Sequence, residues 1–268
     1  MTKSYHPLFL LLLFTGFLFG QEKTVTHRGE QWLQYNNITH LNEKWSLFAN
    51  TGARWKEGFD EFAIFFARLG ASYALNKNVR LASGLTYVEL FANKDLNKVE
   101  FRPYEELFVR GTGEHAIKFN HRFRFEQRFY NPAIDGKIQS DNTFALRFRY
   151  ALMTGFTLFH LSKDNPNSKF RINISDEVMF NAGRNVIYNV FDKNRFSIGP
   201  AVQLNKWVAI TVAWTNQFTS SSTEAGHYID TNALWVHLTH TINLSKKKID
   251  EIRDAHPVLP ASTLHPEQ

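Results

Sequence analysis

The chain reads as an all-β protein, an antiparallel up-and-down transmembrane β-barrel of 10–12 strands with an N-terminal signal helix and a short polar C-terminal tail. Three observations predict that class. Apolar and polar residues alternate along one segment after another, an apolar N-terminal stretch exports the chain, and the polar parity carries more arginine than a dry core accepts. HRFRFEQRFY, residues 121–130, shows the pattern: Phe123, Phe125 and Phe129 share one parity and Arg122, Arg124, Glu126 and Arg128 the other. On a strand, neighbouring side chains point to opposite faces, so a greasy face backs a charged one. A soluble β-sandwich or a lipocalin-like barrel shows the same period with its apolar face turned inward, and periodicity alone leaves that alternative open.

The first element is residues 1–20. Lys3 precedes an apolar run from Leu8 to Phe19, Gly20 supplies the small residue at the cut, and the polar QEKT follows at once. The run is short for a bilayer span and has the layout of a cleaved secretory signal. Its loss removes one lysine and takes the net charge from +6 to +5. With 25 Phe, 9 Tyr and 6 Trp the chain is rich in aromatics, yet its hydrophobic fraction is 43%, unlike that of a helical membrane protein. There is no cysteine, which excludes disulfides, thiolate metal sites and a cysteine nucleophile. The positive excess is mild and spread along the chain, apart from SKKK at 245–248, so nucleic acid is not an expected partner.

Eleven alternating segments follow the signal, at about 30–40, 45–55, 62–75, 79–91, 99–110, 115–130, 142–155, 170–182, 194–204, 207–218 and 231–244. In the third, every odd position from Ala63 to Leu75 is apolar. In the seventh, Phe144, Leu146, Phe148, Tyr150 and Leu152 back Arg147 and Arg149; in the last, Leu234, Val236, Leu238, Ile242 and Leu244 share a face. Short polar turns (LNEK, LNKN, GTGE, LNKW) take turns with longer breaks such as NPAIDGKIQSD and TSSSTEAGHYID, as in barrels with tight turns at one rim and loops at the other. Single-chain bacterial barrels usually have an even strand number, so twelve strands are preferred. KTVTH at 23–27, or a break near Gly155, would supply the missing one. The organisation expected is a signal at 1–20, a barrel at 21–245 and a polar periplasmic tail at 246–268.

EQWLQYNNITHLNEKWSLFANTGARW, EFRPYEELF and HRFRFEQRF together resemble the domain-of-unknown-function 2490 family of exported proteins common in Bacteroidota. The resemblance runs from about Gln31 to Leu244 and rests most on Trp32, Arg54, Glu100, Arg102, Glu106 and the run Arg122 to Arg128. It implies an outer-membrane barrel and no established activity.

If the apolar parity faces lipid, the other parity faces the lumen. On the fifth to eighth strands that face holds Arg102, Arg110, Lys118, Arg122, Arg124, Arg128, Arg147, Arg149 and Arg171 against Glu100, Glu106, Glu126 and Glu177. One reading is a ladder of bidentate Arg–Glu pairs that fills the barrel; another is a narrow pore whose arginines attract small anionic solutes. The expected role is accordingly a structural or narrow-pore barrel of the outer membrane, with membrane lipids as partners. The alternatives are an outer-membrane lipid-modifying hydrolase and a soluble periplasmic ligand-binding protein.

Catalysis is not expected. His121 and His240 fall on the apolar parity and TSSST lies in a long break, but no G-x-S-x-G elbow occurs and nothing joins a serine to either histidine. No cofactor fingerprint is present, and His237 and His240, three apart, point to opposite faces of a strand and cannot share an ion. Trp45, Trp55, Trp207, Trp214, Tyr73, Tyr87 and Tyr150 are expected near strand ends, as two aromatic girdles.

Overall fold

Wherever the sequence alternates, the backbone is extended, and the strands run longer than the apolar pattern alone marks. The computed structural model describes residues 23–112, 118–184, 186, 189–221 and 224–245; the expected signal at 1–20 and the tail at 246–268 lie outside the described residues. In chain order the strands are β1 (Thr24–His40), β2 (Trp45–Lys56), β3 (Glu61–Ala74), β4 (Val79–Ala92), β5 (Asp95–Arg110), β6 (Asn120–Ile134), β7 (Lys137–Ile138), β8 (Thr143–His160), β9 (Lys169–Ala182), β10 (Phe191–Gln203), β11 (Val208–Ser220) and β12 (His227–Asn243).

Eleven of them form one closed wall. Neighbours run β5-β4-β3-β2-β1-β12-β11-β10-β9-β8-β6, and β5 pairs with β6 to complete the circle. The two-residue β7 stands outside the wall as the return of a hairpin on the end of β6, pairing Ala133 with Ile138 and Ile134 with Lys137. The preference for twelve wall strands is therefore corrected to eleven. Thr24–His27 is the start of β1 itself, and β8 runs unbroken through Gly155. The wall is also not antiparallel throughout: β1 and β12 pair in parallel over their whole length, from Thr24↔His227 to His40↔Asn243. An odd number of up-and-down strands brings the first and last together running the same way, and parallel pairing satisfies both edges.

The first rim carries the connections 41–44, 75–78, 111–119, 161–168 and 204–207, and the second carries 57–60, 93–94, 135–142, 183–190 and 221–226. The expected contrast between short and long rims is weaker than the sequence implies. NPAIDGKIQSD continues β6 into its β7 hairpin, and the last four residues of TSSSTEAGHYID already belong to β12. Three first-rim turns share one device. The side-chain oxygen of Asn42, Asn76 and Asn205 accepts the backbone N–H groups two and three residues on, at 2.8–3.0 Å. The preceding Leu41, Leu75 and Leu204 then donate back across the turn at 2.9–3.0 Å. This Asx geometry is why LN recurs where strands reverse.

Faces are inverted relative to a soluble protein. Leu33, Leu69, Leu85, Phe101, Phe125, Phe148, Trp214 and Leu234 all stand exposed on the outside, with Leu69 at 66%. Inside, Arg102, Arg122, Glu126, Arg147 and Arg149 are each 0% exposed. Aromatic contacts mark both rims: Trp45 on Tyr73 (4.9 Å between ring centroids) and Phe159 on Phe170 (5.0 Å) at the first, and Trp55–Phe62–Phe91 (5.5 and 5.0 Å) and Phe218 on Tyr228 (5.0 Å) at the second. Trp214 and Tyr150, expected at strand ends, instead stand mid-strand in β11 and β8.

Candidate functional site in the lumen

The lumenal site is built by strand parity. On β6 the period of two sends Arg122, Arg124, Glu126 and Arg128 inward. The flanking strands add Glu100, Arg102 and Glu106 from β5, Arg147 and Arg149 from β8, and Glu177 from β9. All ten are buried. Arg110 and Arg171 keep the lumenal parity but lie half-buried near the first rim, where Arg171 approaches Thr157 Oγ1 at 3.5 Å and the Gly155 carbonyl at 3.4 Å. Lys118 departs from expectation: it stands exposed in the connection before β6 rather than in the lumen, because β6 begins only at Asn120.

Pairing inside is partly direct, as in Glu106↔Arg124 and Glu126↔Arg147, and partly diagonal. Directly across the β6–β8 register stand two arginines, Arg124 and Arg149, which repel unless each finds a carboxylate off to the side. Arg149 does so twice. Its Nε and Nη2 donate to the two oxygens of Glu177, both at 2.9 Å, and its Nη1 donates to Glu126 at 2.8 Å. Arg124 donates Nε and Nη2 to one oxygen of Glu106, Oε2, at 3.0 and 2.5 Å and stands 3.7 Å from Glu126. Arg122 bonds Glu177 and lies 3.9 Å from Glu106. Three carboxylates and three guanidinium groups thus close a ring in the order Glu126, Arg149, Glu177, Arg122, Glu106, Arg124. Arg147 joins it to Asp192 (3.2 Å) while bonding Glu126, and Arg102, 4.0 Å from Glu126, joins it to Glu100, which also accepts from Arg128 at 2.6 Å. The two-oxygen forks of Arg149 on Glu177 and of Arg102 and Arg128 on Glu100 are the strong form of the Arg–carboxylate contact.

Behind the parallel seam lies a second cluster that the charge pattern does not reveal. Trp32 and Trp235, register partners on β1 and β12, meet edge to face at 5.4 Å. Arg54 lies over the Trp32 ring at 3.9 Å, Arg195 approaches it at 5.3 Å, and His237 stacks on Trp235 at 3.9 Å. Trp32 Nε1 donates to Glu30 at 2.6 Å. Desolvated cation–π contacts of this kind are worth about 2 kcal/mol each.

The interior also holds Arg68, Arg80, Lys193, Arg195 and Asp192, which the sequence reading did not assign to the lumen. A signal for Arg68 was present, since it sits on the even parity of β3, opposite the all-apolar odd one. Counting every strand, the described residues bury eleven lysines and arginines against six carboxylates.

Three inward glycines shape the remaining space. Each faces an aromatic on the next strand, Gly52↔Phe66, Gly70↔Phe48 and Gly84↔Tyr104, and the ring lies where a Cβ would be, 2.2–3.0 Å away. Aromatic cover of a strand glycine keeps the sheet closed over an otherwise bare stretch of backbone.

On the outer wall His121 bonds Tyr150 (2.9 Å) and His240 bonds Tyr35 (3.1 Å), each histidine thus facing a tyrosine hydroxyl. No group of three or more His, Asp or Glu among the described residues could hold a metal ion. A family model described as "Protein of unknown function (DUF2490)" matches residues 29–227. No curated protein and no solved structure matches the chain.

Proposed function

Because the chain belongs to the DUF2490 family, whose description names no activity, its role has to be read from the barrel, and we propose that it is an exported outer-membrane barrel whose lumen is plugged by its own charges. The observation that carries this reading is the inversion of faces. Exposed leucines, phenylalanines and tryptophans in water would form an apolar surface far beyond what soluble monomers tolerate, whereas in a bilayer they contact acyl chains. Wall strands of 12–18 residues exceed the 9–11 or so that a tilted strand needs to cross. The closed seam leaves no unpaired edge to lipid.

Inside, a network with its central members 0% exposed is a plug. Solute passing through it would have to break several bidentate pairs at once. The role that fits is structural or ligand-holding, ahead of a conducting pore. Purified protein in a planar bilayer under a salt gradient tests the plug: the expected result is a folded barrel with no steady current. A steady anion-selective current, lost when Arg122, Arg124 and Arg147 are neutralised, would replace the plug with a pore. Fractionation tests the location, the protein being expected in the outer membrane and resistant to extraction by alkaline carbonate.

A further inference from the structure

Between the ion network and the side chains of the first rim the lumen keeps a small recess. A pocket of ≈ 500 Å³, counting its open mouth, lies against β1 to β6 and β12. Its wall residues Ile38, Thr239 and Arg80 sit two, four and one residues from strand ends at the first rim. The glycine–aromatic pairs make the room. Phe48 folds over Gly70 and Tyr104 over Gly84, so two rings lie along the wall, 6.5 Å apart.

Two kinds of surface meet there. Ile38, Phe48 and Ala82 are apolar. The other side carries Asn36, Arg80, Tyr104 and Arg124; Asn36 Nδ2, Arg80 Nε and Tyr104 OH have no hydrogen-bond partner, and Arg124 Nη1 has only the Glu126 carboxylate, 3.7 Å away. Each is a buried donor, and a buried donor without an acceptor costs about 1–3 kcal/mol. The acceptors of the same wall are mostly engaged. Asn36 Oδ1 takes bonds from Gln34 (2.5 Å) and Asn50 (3.1 Å), and Glu106 Oε2 takes two from Arg124, while Glu106 Oε1 lies 3.9 Å from Arg80 Nη2 without a hydrogen bond. A wall with donors in surplus, two arginines to one carboxylate, beside an apolar patch is complementary to a group that brings acceptors, negative charge and a hydrocarbon portion.

We propose that this pocket binds a small amphipathic anion, a carboxylate or phosphate headgroup on a short apolar stem. The headgroup meets Arg80, Tyr104 and Arg124, and the stem lies on Ile38, Phe48 and Ala82. The site is a dead end on the first-rim side of the plug, and a ligand reaches it past His40, Ser46, Ala74 and Phe108, which are buried nearer that rim. The inference rests on the plugged-lumen reading for that dead end alone; binding is measured separately from current and from membrane location, so the two readings fail independently.

The test is equilibrium dialysis of radiolabelled octanoate and octyl phosphate against the full protein in zwitterionic nanodiscs, with empty nanodiscs, acetate, inorganic phosphate and octanol as comparisons. Saturable one-to-one binding of either amphiphile is expected, at least tenfold tighter than acetate, inorganic phosphate or octanol. Preference between the two assigns the headgroup. Arg80→Gln and Tyr104→Phe should each weaken binding about tenfold, the scale of a hydrogen bond to a charged group. Ala82→Leu, which keeps every donor and fills the apolar side, should weaken it also and guards against misfolding of the polar variants, whose β-content is checked by circular dichroism. No saturable binding, equal binding of acetate or inorganic phosphate, or affinity unchanged in folded Arg80→Gln and Ala82→Leu would overturn the proposal.

Discussion

Glu126 holds two arginines by hydrogen bonds, Arg147 and Arg149, and has Arg102 and Arg124 within 4.0 Å. A neutral amide at that position accepts at one atom only and leaves at least one guanidinium short of a counter-charge in a buried site. Glu126→Gln is therefore expected to cost about 3–5 kcal/mol, the scale for breaking a buried pair from one side. Urea unfolding of the protein in detergent micelles measures it. Replacing Glu126 and Arg147 together by leucine should cost less than the sum of the two single changes, since the pair then leaves as a unit. At this scale the sequence was legible on one point and silent on another. The parity of HRFRFEQRFY tells which side chains share a face. It does not tell that Arg122 bonds Glu177, 55 residues away, because that contact depends on registers between strands that the local pattern does not encode.

Strand reversals at the first rim repeat a small device, an asparagine side chain capping two backbone N–H groups, and such turns were easy to locate from LNEK, LNKN and LNKW. Strand ends were harder. The first six residues of β1, TVTHRG, extend into the polar mouth where inside and outside are both wet, so alternation fades while the backbone pairing continues. The glycine–aromatic pairs were invisible for a different reason: Gly84 and Tyr104 lie on separate strands, and only the β4–β5 register sets them face to face. A Cβ on Gly84 would lie 2.5 Å from the Leu69 carbonyl oxygen and 2.9 Å from the Tyr104 hydroxyl. Gly84→Ala should thus cost about 1–3 kcal/mol, the usual scale of overpacking. It should also displace the Tyr104 ring, which Arg124 overlies at 4.3 Å. Loss of stability in the same urea titration measures it, and the part of the loss that remains when Gly84→Ala is combined with Tyr104→Leu is the share set by the Leu69 carbonyl rather than by the ring.

Across the whole molecule, charge inside and hydrocarbon outside make one consistent pattern, and that much followed from the period of two alone. The strand number did not, because an even count was expected from other barrels while nothing local forbids an odd one. What permits it is the parallel seam, whose inner side is backed by Trp32, Trp235 and the two arginines over Trp32. That seam also governs where the polypeptide ends up. β1 starts at the second rim and β12 finishes at the first, so Thr24 and Asn243 open into different compartments once the barrel spans a membrane. One terminus must then be carried across the bilayer as the barrel assembles, a step that an even-stranded relative never faces. On the proposed outer-membrane location, epitope tags placed before Thr24 and after Ser245 should accordingly differ in intact cells, one reached by antibody and the other only after the outer membrane is broken. Tags that are both reached, or both hidden, would mean that the wall has gained or lost a strand.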